Sequence, residues 1–152
     1  MFVNRKKWLG LIFCFFAPAS AYAVHCDVSA TIFSFPAYDP LALASSDSSG
    51  EVIVQCDPGQ PFQIKLDAGL YARGNFSVRE MRSADTQTPL QYNLFLDPSY
   101  SQIWGDGGGA SLFYRGIGSI VPFKVPLYGR VPAGQRVSAG QYSDSVVVTI
   151  EW

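Results

Sequence analysis

The sequence predicts an all-β sandwich, and three observations carry that expectation. Beyond the first 23 residues, no window places apolar residues at i, i+3, i+4 and i+7 for three turns, as a helix packed on a core requires. Short runs with period-2 alternation recur between clusters of Gly, Pro and Ser, the punctuation of a sandwich. The chain stops on such a run. In residues 146–152, Val146, Val148, Ile150 and Trp152 fall on one side, and Val147, Thr149 and Glu151 on the other. That last strand poses a question, because no later strand covers its edge, and proteins usually blunt exposed edges.

The elements follow in order. Met1–Lys7 carries Arg5, Lys6 and Lys7, and Trp8–Phe16 is an apolar run. Ala21-Tyr22-Ala23 places small residues at −3 and −1 of a cleavage site, so residues 1–23 read as a secretory signal peptide. The apolar run is too short for a membrane span, although a retained anchor is the competing reading. Cys14 follows bulky Phe13, which argues against lipidation there. Cleavage after Ala23 would leave residues 24–152, one domain by length. Three of the 11 basic residues leave with the leader, so eight face 12 acidic ones and the exported domain carries about −4. Nucleic-acid phosphates demand a basic surface, so that ligand class is excluded. No second apolar run is long enough to insert in a membrane.

Val28–Phe35 reads as the first strand, ended by Pro36, and the Ser-rich stretch 43–50 (LASSDSSG) as a break. Glu51–Cys56 is the second strand. Antiparallel pairing of the two brings Cys26 beside Cys56, an even pair in an oxidising compartment, as a disulfide would require. A bridge across that spacing stabilises by about 3–4 kcal/mol in the chain-entropy account. A metal site is the alternative, but His25 is the single histidine and no Cys-x-x-Cys pair completes a shell.

Phe62–Asp67 alternates well, Phe76–Met81 weakly and Leu90–Leu96 strongly. Ile103–Ala110 is a glycine-dense loop. Ser119–Tyr128 contains Pro122 and Pro126, which cannot donate to a ladder, so it is expected at an edge or irregular. Turns at 132–134 and 139–140 precede the final strand. Tyr142 has two open readings, a corner pinned through its hydroxyl or a plain packed aromatic.

Chemistry is sparse. A nucleophile needs a base, and His25 lies at the exported N-terminus, where a solvated side chain is the simpler expectation. The carboxylates form no paired motif that would raise one pKa selectively. Gly105–Gly109 (GDGGG) lacks the spaced ligands of a calcium loop. No catalytic residue, metal or cofactor is expected. Tyr100, Trp104, Phe113 and Tyr114 flank the glycine loop as a candidate surface- or sugar-binding set, or else close the end of the core.

The segments CDVSATIFSFPAYDPL, GEVIVQC, LQYNLFLD, IWGDG and YGRVPAGQRVSAGQYSDSVVVTIEW, in that order from Cys26 to Trp152, resemble the spore coat protein U domain family, which includes pilins of archaic chaperone–usher pili. The resemblance implies an immunoglobulin-like sandwich that lacks its last strand. A periplasmic chaperone lends that strand, and a sister subunit's N-terminal extension later replaces it. It implies Val146, Val148, Ile150 and Trp152 as the donor-strand groove, and an outer-membrane usher as a further partner. The opposing reading is that the final strand is already paired on both sides within the chain.

One departure from a polymerising pilin stands out: with cleavage after Ala23, only Val24 and His25 precede Cys26. A donor strand needs about five residues. The expectation is therefore a subunit that accepts a strand without giving one, at a pilus tip or in a minor position. In sum, the sequence predicts a non-enzymatic structural subunit of a chaperone–usher fibre, exported to the periplasm and then the cell surface. The alternatives are an adhesin-type module using the loop aromatics, or a coat protein with a closed sandwich.

Overall fold

A computed structural model describes residues 23–85 and 88–152. The expected leader, apart from Ala23, lies outside the described residues, as does Cys14. The chain forms an immunoglobulin-like β-sandwich with no helix among the described residues. Its strands are β1 (Cys26–Ala30), β2 (Ser46–Cys56), β3 (Pro61–Leu66), β4 (Arg79–Ser83), β5 (Pro89–Phe95), β6 (Tyr114–Ile117), β7 (Phe123–Val131), β8 (Tyr142–Ser143) and β9 (Val148–Glu151). One sheet has the order β1-β2-β7-β5-β4-β8 and the other β6-β3-β9, all pairings antiparallel. Period-2 alternation explains the layering. Val52, Val54, Val125, Leu127 and Val131 of the large sheet face Phe62, Ile64 and Leu66 of the small one, all nearly or wholly buried.

Cys26 pairs in register with Cys56, and the two form a disulfide at a Cα–Cα distance of 4.1 Å. Tyr142 pins its corner: its hydroxyl donates to the Ser138 carbonyl oxygen at 2.9 Å.

Several boundaries differ from the sequence expectation. The Ser-rich break is half strand, since β2 begins at Ser46. Residues 46–50 pair with Leu127–Val131 of β7, and that partnership overrides the weak strand propensity of Ser and Gly. The first strand stops at Ala30 rather than Phe35. The weak strand lies at Arg79–Ser83 instead of Phe76–Met81, and the last begins at Val148 rather than Val146. The proline-containing strand is interior, flanked by β2 and β5, and not at an edge. Pro126 is tolerated because β5 pairs with β7 only from Tyr128 onward, leaving the proline with a ladder neighbour on the β2 side alone.

Candidate functional site

Beyond Ala30 the chain leaves the large sheet's edge and runs as Thr31–Tyr38 over that sheet's inner face. Phe33 and Phe35 fill the space there, in edge-to-face contact 5.2 Å apart. Two glycines make the socket. A Cβ on Gly50 would meet the Phe33 ring at 2.8 Å, and one on Gly129 would meet it at 2.5 Å. Tyr38 fastens the end of this segment, donating to the Pro132 carbonyl and accepting from the Gln135 amide.

On the opposite side the chain approaches β9 through residues 137–147. Between these two walls opens a cleft of about 850 Å³, floored by core side chains that include Val52, Leu66, Leu94 and Leu127. The cleft therefore opens onto the hydrophobic core itself.

The wall beside β9 is held by polar contacts. The Asp67 amide donates to the Val147 carbonyl, and the Asp67 carboxylate accepts from the Val147 amide. Asp144 accepts from the Leu70 amide and the Tyr92 hydroxyl. Burial, aided by that bond to Asp144, pushes Tyr92 far above the usual tyrosine range, so it stays a neutral donor. Arg79 is wholly buried. Its guanidinium donates to the carbonyls of Asp67 and Trp104 and to the side chain of Asn93. Desolvation lowers its pKa, and its donors are committed to fixing loops.

Among the described residues, β9 pairs with β3 alone and forms an edge of the small sheet. The hydrogen-bond phase shows which groups the edge presents. The Leu66 amide donates to Gly105, away from β9, whereas the Asp67 amide donates towards it. Val148 and Ile150, opposite Leu66 and Ile64, are thus in the non-hydrogen-bonded pairs with β3. Their own amide and carbonyl groups point to the open edge, while their side chains, half-buried, pack on the core. Outward-facing Lys65 and Glu151 pair at 2.6 Å on the far face.

Of the four residues expected at a groove, Val146 and Val148 line the cleft, and Ile150 packs against the core further along β9. Trp152 lies past the strand and is 55% exposed, so it does not contribute to the lining. Sequence reading missed the other wall, Thr31–Tyr38. Its signal was the Phe33-Ser34-Phe35 alternation, read as one continuous strand.

The loop aromatics do not form one surface. Trp104 is 0% exposed, its indole N–H donating to the Ile64 carbonyl, and Tyr114 packs on it and on Phe62. Both serve the core, which alone can absorb rings of that size. Phe113 lies under Lys65 and Arg115, whereas Tyr100 joins Phe95 and Tyr128. His25 is exposed and contacts Asp27 at 2.7 Å. No cluster of three His, Cys, Asp or Glu side chains suited to a metal is present among the described residues.

The architecture is a two-layer β-sandwich with an open cleft into its core, and Arg79, the charged side chain buried among the described residues, is committed to fixing loops. The Spore Coat Protein U domain profile matches residues 13–149, and the chain belongs to that family. It is a structural, non-enzymatic protein. "Protein U" of Myxococcus xanthus is 37% identical over 126 residues, covering 77% of this chain and 69% of that protein. Among solved structures, the chain resembles one in the CsuC–CsuE chaperone–tip adhesion subunit pre-assembly complex from archaic chaperone–usher Csu pili of Acinetobacter baumannii. The TM-score is 0.60 at 21% identity. The match covers 86% of this chain and 40% of that one, so the chain spans less than half of its structural neighbour. That likeness speaks to fold.

Proposed function

We propose that this protein is a structural subunit of a chaperone–usher type surface fibre and that its cleft receives a strand from another molecule. The single observation that carries the reading is the cleft itself: an open edge at β9, beside a channel floored by the core. Main-chain groups of Val148 and Ile150 supply the ladder, and alternate apolar side chains of an incoming strand fill the channel. The partners in this reading are a periplasmic chaperone, an outer-membrane usher and sister subunits, and the route runs through the periplasm to the cell surface. A terminal place in the fibre is the finer part of the proposal, supported by the tip role of the structural neighbour.

The test is an alternating apolar strand fused after Trp152 through a flexible linker. Each Val- or Leu-sized side chain buried contributes about 1.5–3 kcal/mol, so a filled channel should raise Tm by 10 °C or more, at roughly 4–8 °C per kcal/mol for a small domain. Val148→Asp should cancel the gain. A protein that is stable alone and indifferent to the fused strand would mean a sandwich that needs no completion.

A further inference from the structure

The opposite face of the same sheet carries a second, chemically different surface. In β2, Asp47, Ser49 and Glu51 point outward. In β7 their register partners are Arg130, Tyr128 and Pro126. These six side chains form a two-by-three grid around a shallow, open depression lined by Ser49, Glu51, Pro126 and Tyr128, with Thr31 and Gly50 at its edge.

The grid is rigid. Asp47 accepts two hydrogen bonds from Arg130, both 2.7 Å, and the Arg130 guanidinium sits 3.7 Å over the Tyr100 ring. Tyr100 in turn meets Phe95 and Tyr128 edge to face. It is held at φ 58°, an unusual conformation for a non-glycine residue. Asp97 stabilises that turn by accepting from the amides of Ser101 and Gln102. The Arg130 guanidinium keeps the Asp47 carboxyl below its ordinary range, so it remains an acceptor.

We infer that this outward grid is a binding site for a neutral saccharide unit of a glycan. The Tyr128 ring and the Pro126 ring offer apolar surface to the C–H face of a pyranose. Asp47 and Glu51 offer carboxylate oxygens to its hydroxyls, and Ser49 carries a hydroxyl with no hydrogen bond among the described residues. Charge decides the class of sugar. Glu51 is paired with Lys124 at 2.6 Å, as Asp47 is with Arg130, so with Lys124 counted the two carboxylates and two cations cancel and the surface favours neither an acidic nor a basic ligand. The depression faces away from the cleft, so occupation of one leaves the other free. The inference does not depend on the fibre reading.

The test is titration of the purified, isotope-labelled chain with cellotriose, maltotriose and chitotriose, with sialyllactose as the charged comparison, followed by amide chemical shifts. At least one neutral trisaccharide should saturate with a Kd of about 0.1–10 mM and shift residues 47–51 and 126–130. Ser49→Arg fills the depression from an exposed position, so it should weaken binding tenfold or more without moving Tm; Tyr128→Ala should weaken binding as well, with some loss of Tm because that ring packs on Tyr100. Phe113→Ala, in the loop before β6, should bind like the unaltered protein. No saturable shift with any of the three neutral sugars, shifts by sialyllactose alone, or binding that survives Ser49→Arg would each overturn the inference.

Discussion

Strands β2 and β7 run side by side, and their two faces differ completely in chemistry. Towards the cleft they present Val52, Gly50, Val125, Leu127, Gly129 and Val131; away from it they present Asp47, Ser49, Glu51, Pro126, Tyr128 and Arg130. The outer face is polar: its carboxylates meet Arg130 and Lys124 and its rings meet edge to face, while the Ser49 hydroxyl is left open to water or a ligand. The inner face is apolar and is covered for part of its length by a loop segment, Thr31–Tyr38, where a sandwich would ordinarily place a strand. The contrast teaches that incompleteness here is a matter of one face. The same residues that could not be left open to water without cost are the ones that would reward an added strand.

The largest expected effect comes from the bridge that holds β1, and with it the start of the Thr31–Tyr38 wall, against β2. Cys26→Ala should lower stability by about 2–5 kcal/mol, measured by urea unfolding of the purified protein. A loss under about 1 kcal/mol would show that the wall is anchored by other contacts.

Gly129 and Tyr128 are neighbours in β7 on opposite faces, which makes them a direct comparison. A methyl at Gly129 would collide with the Phe33 and Phe35 rings at 2.5–2.9 Å. Gly129→Ala should therefore cost about 1–3 kcal/mol by overpacking and displace the wall of the cleft. Restoration by the second change Phe33→Leu would confirm the site of the clash; equal loss with and without it would locate the strain elsewhere.

The smallest effect belongs to the outer face. Asp47 has its pKa lowered by the Arg130 hydrogen bonds. Its contribution is therefore present above the ordinary Asp value near 4 and is lost as pH falls through the lower folded value. The pair is about a third exposed, and solvent screening keeps it to about 0.2–1 kcal/mol. Asp47→Asn should lower Tm slightly at neutral pH and leave it unchanged in strong acid. A difference that persists at about pH 2 would assign the effect to packing instead of charge.

Much of this architecture was legible in the chain. The Cys26–Cys56 pairing followed from compartment and spacing, and Leu90–Leu96 alternated clearly enough to be placed within one residue of β5. The alternation of residues 146–152 placed Val146 and Val148 correctly on the core side. Other features were hidden because they depend on partners distant in sequence. Nothing local marks residues 46–50 as strand, since their ladder is made with residues 77 to 85 positions away. Nothing local separates Trp104, sunk in the core, from Tyr100, which stacks under Arg130 on the outer face.

By itself the sequence determined the all-β class, the disulfide and the apolar side of the last strand, because period-2 patterning and cysteine count are local properties of the chain. Tertiary structure decided which strands are edges and which face is left open. Both depend on how many neighbours each strand finds. Pro126 sits in an interior strand because β5 stops short of it. The cleft is left open because, among the described residues, a small sheet of three strands covers a sheet of six.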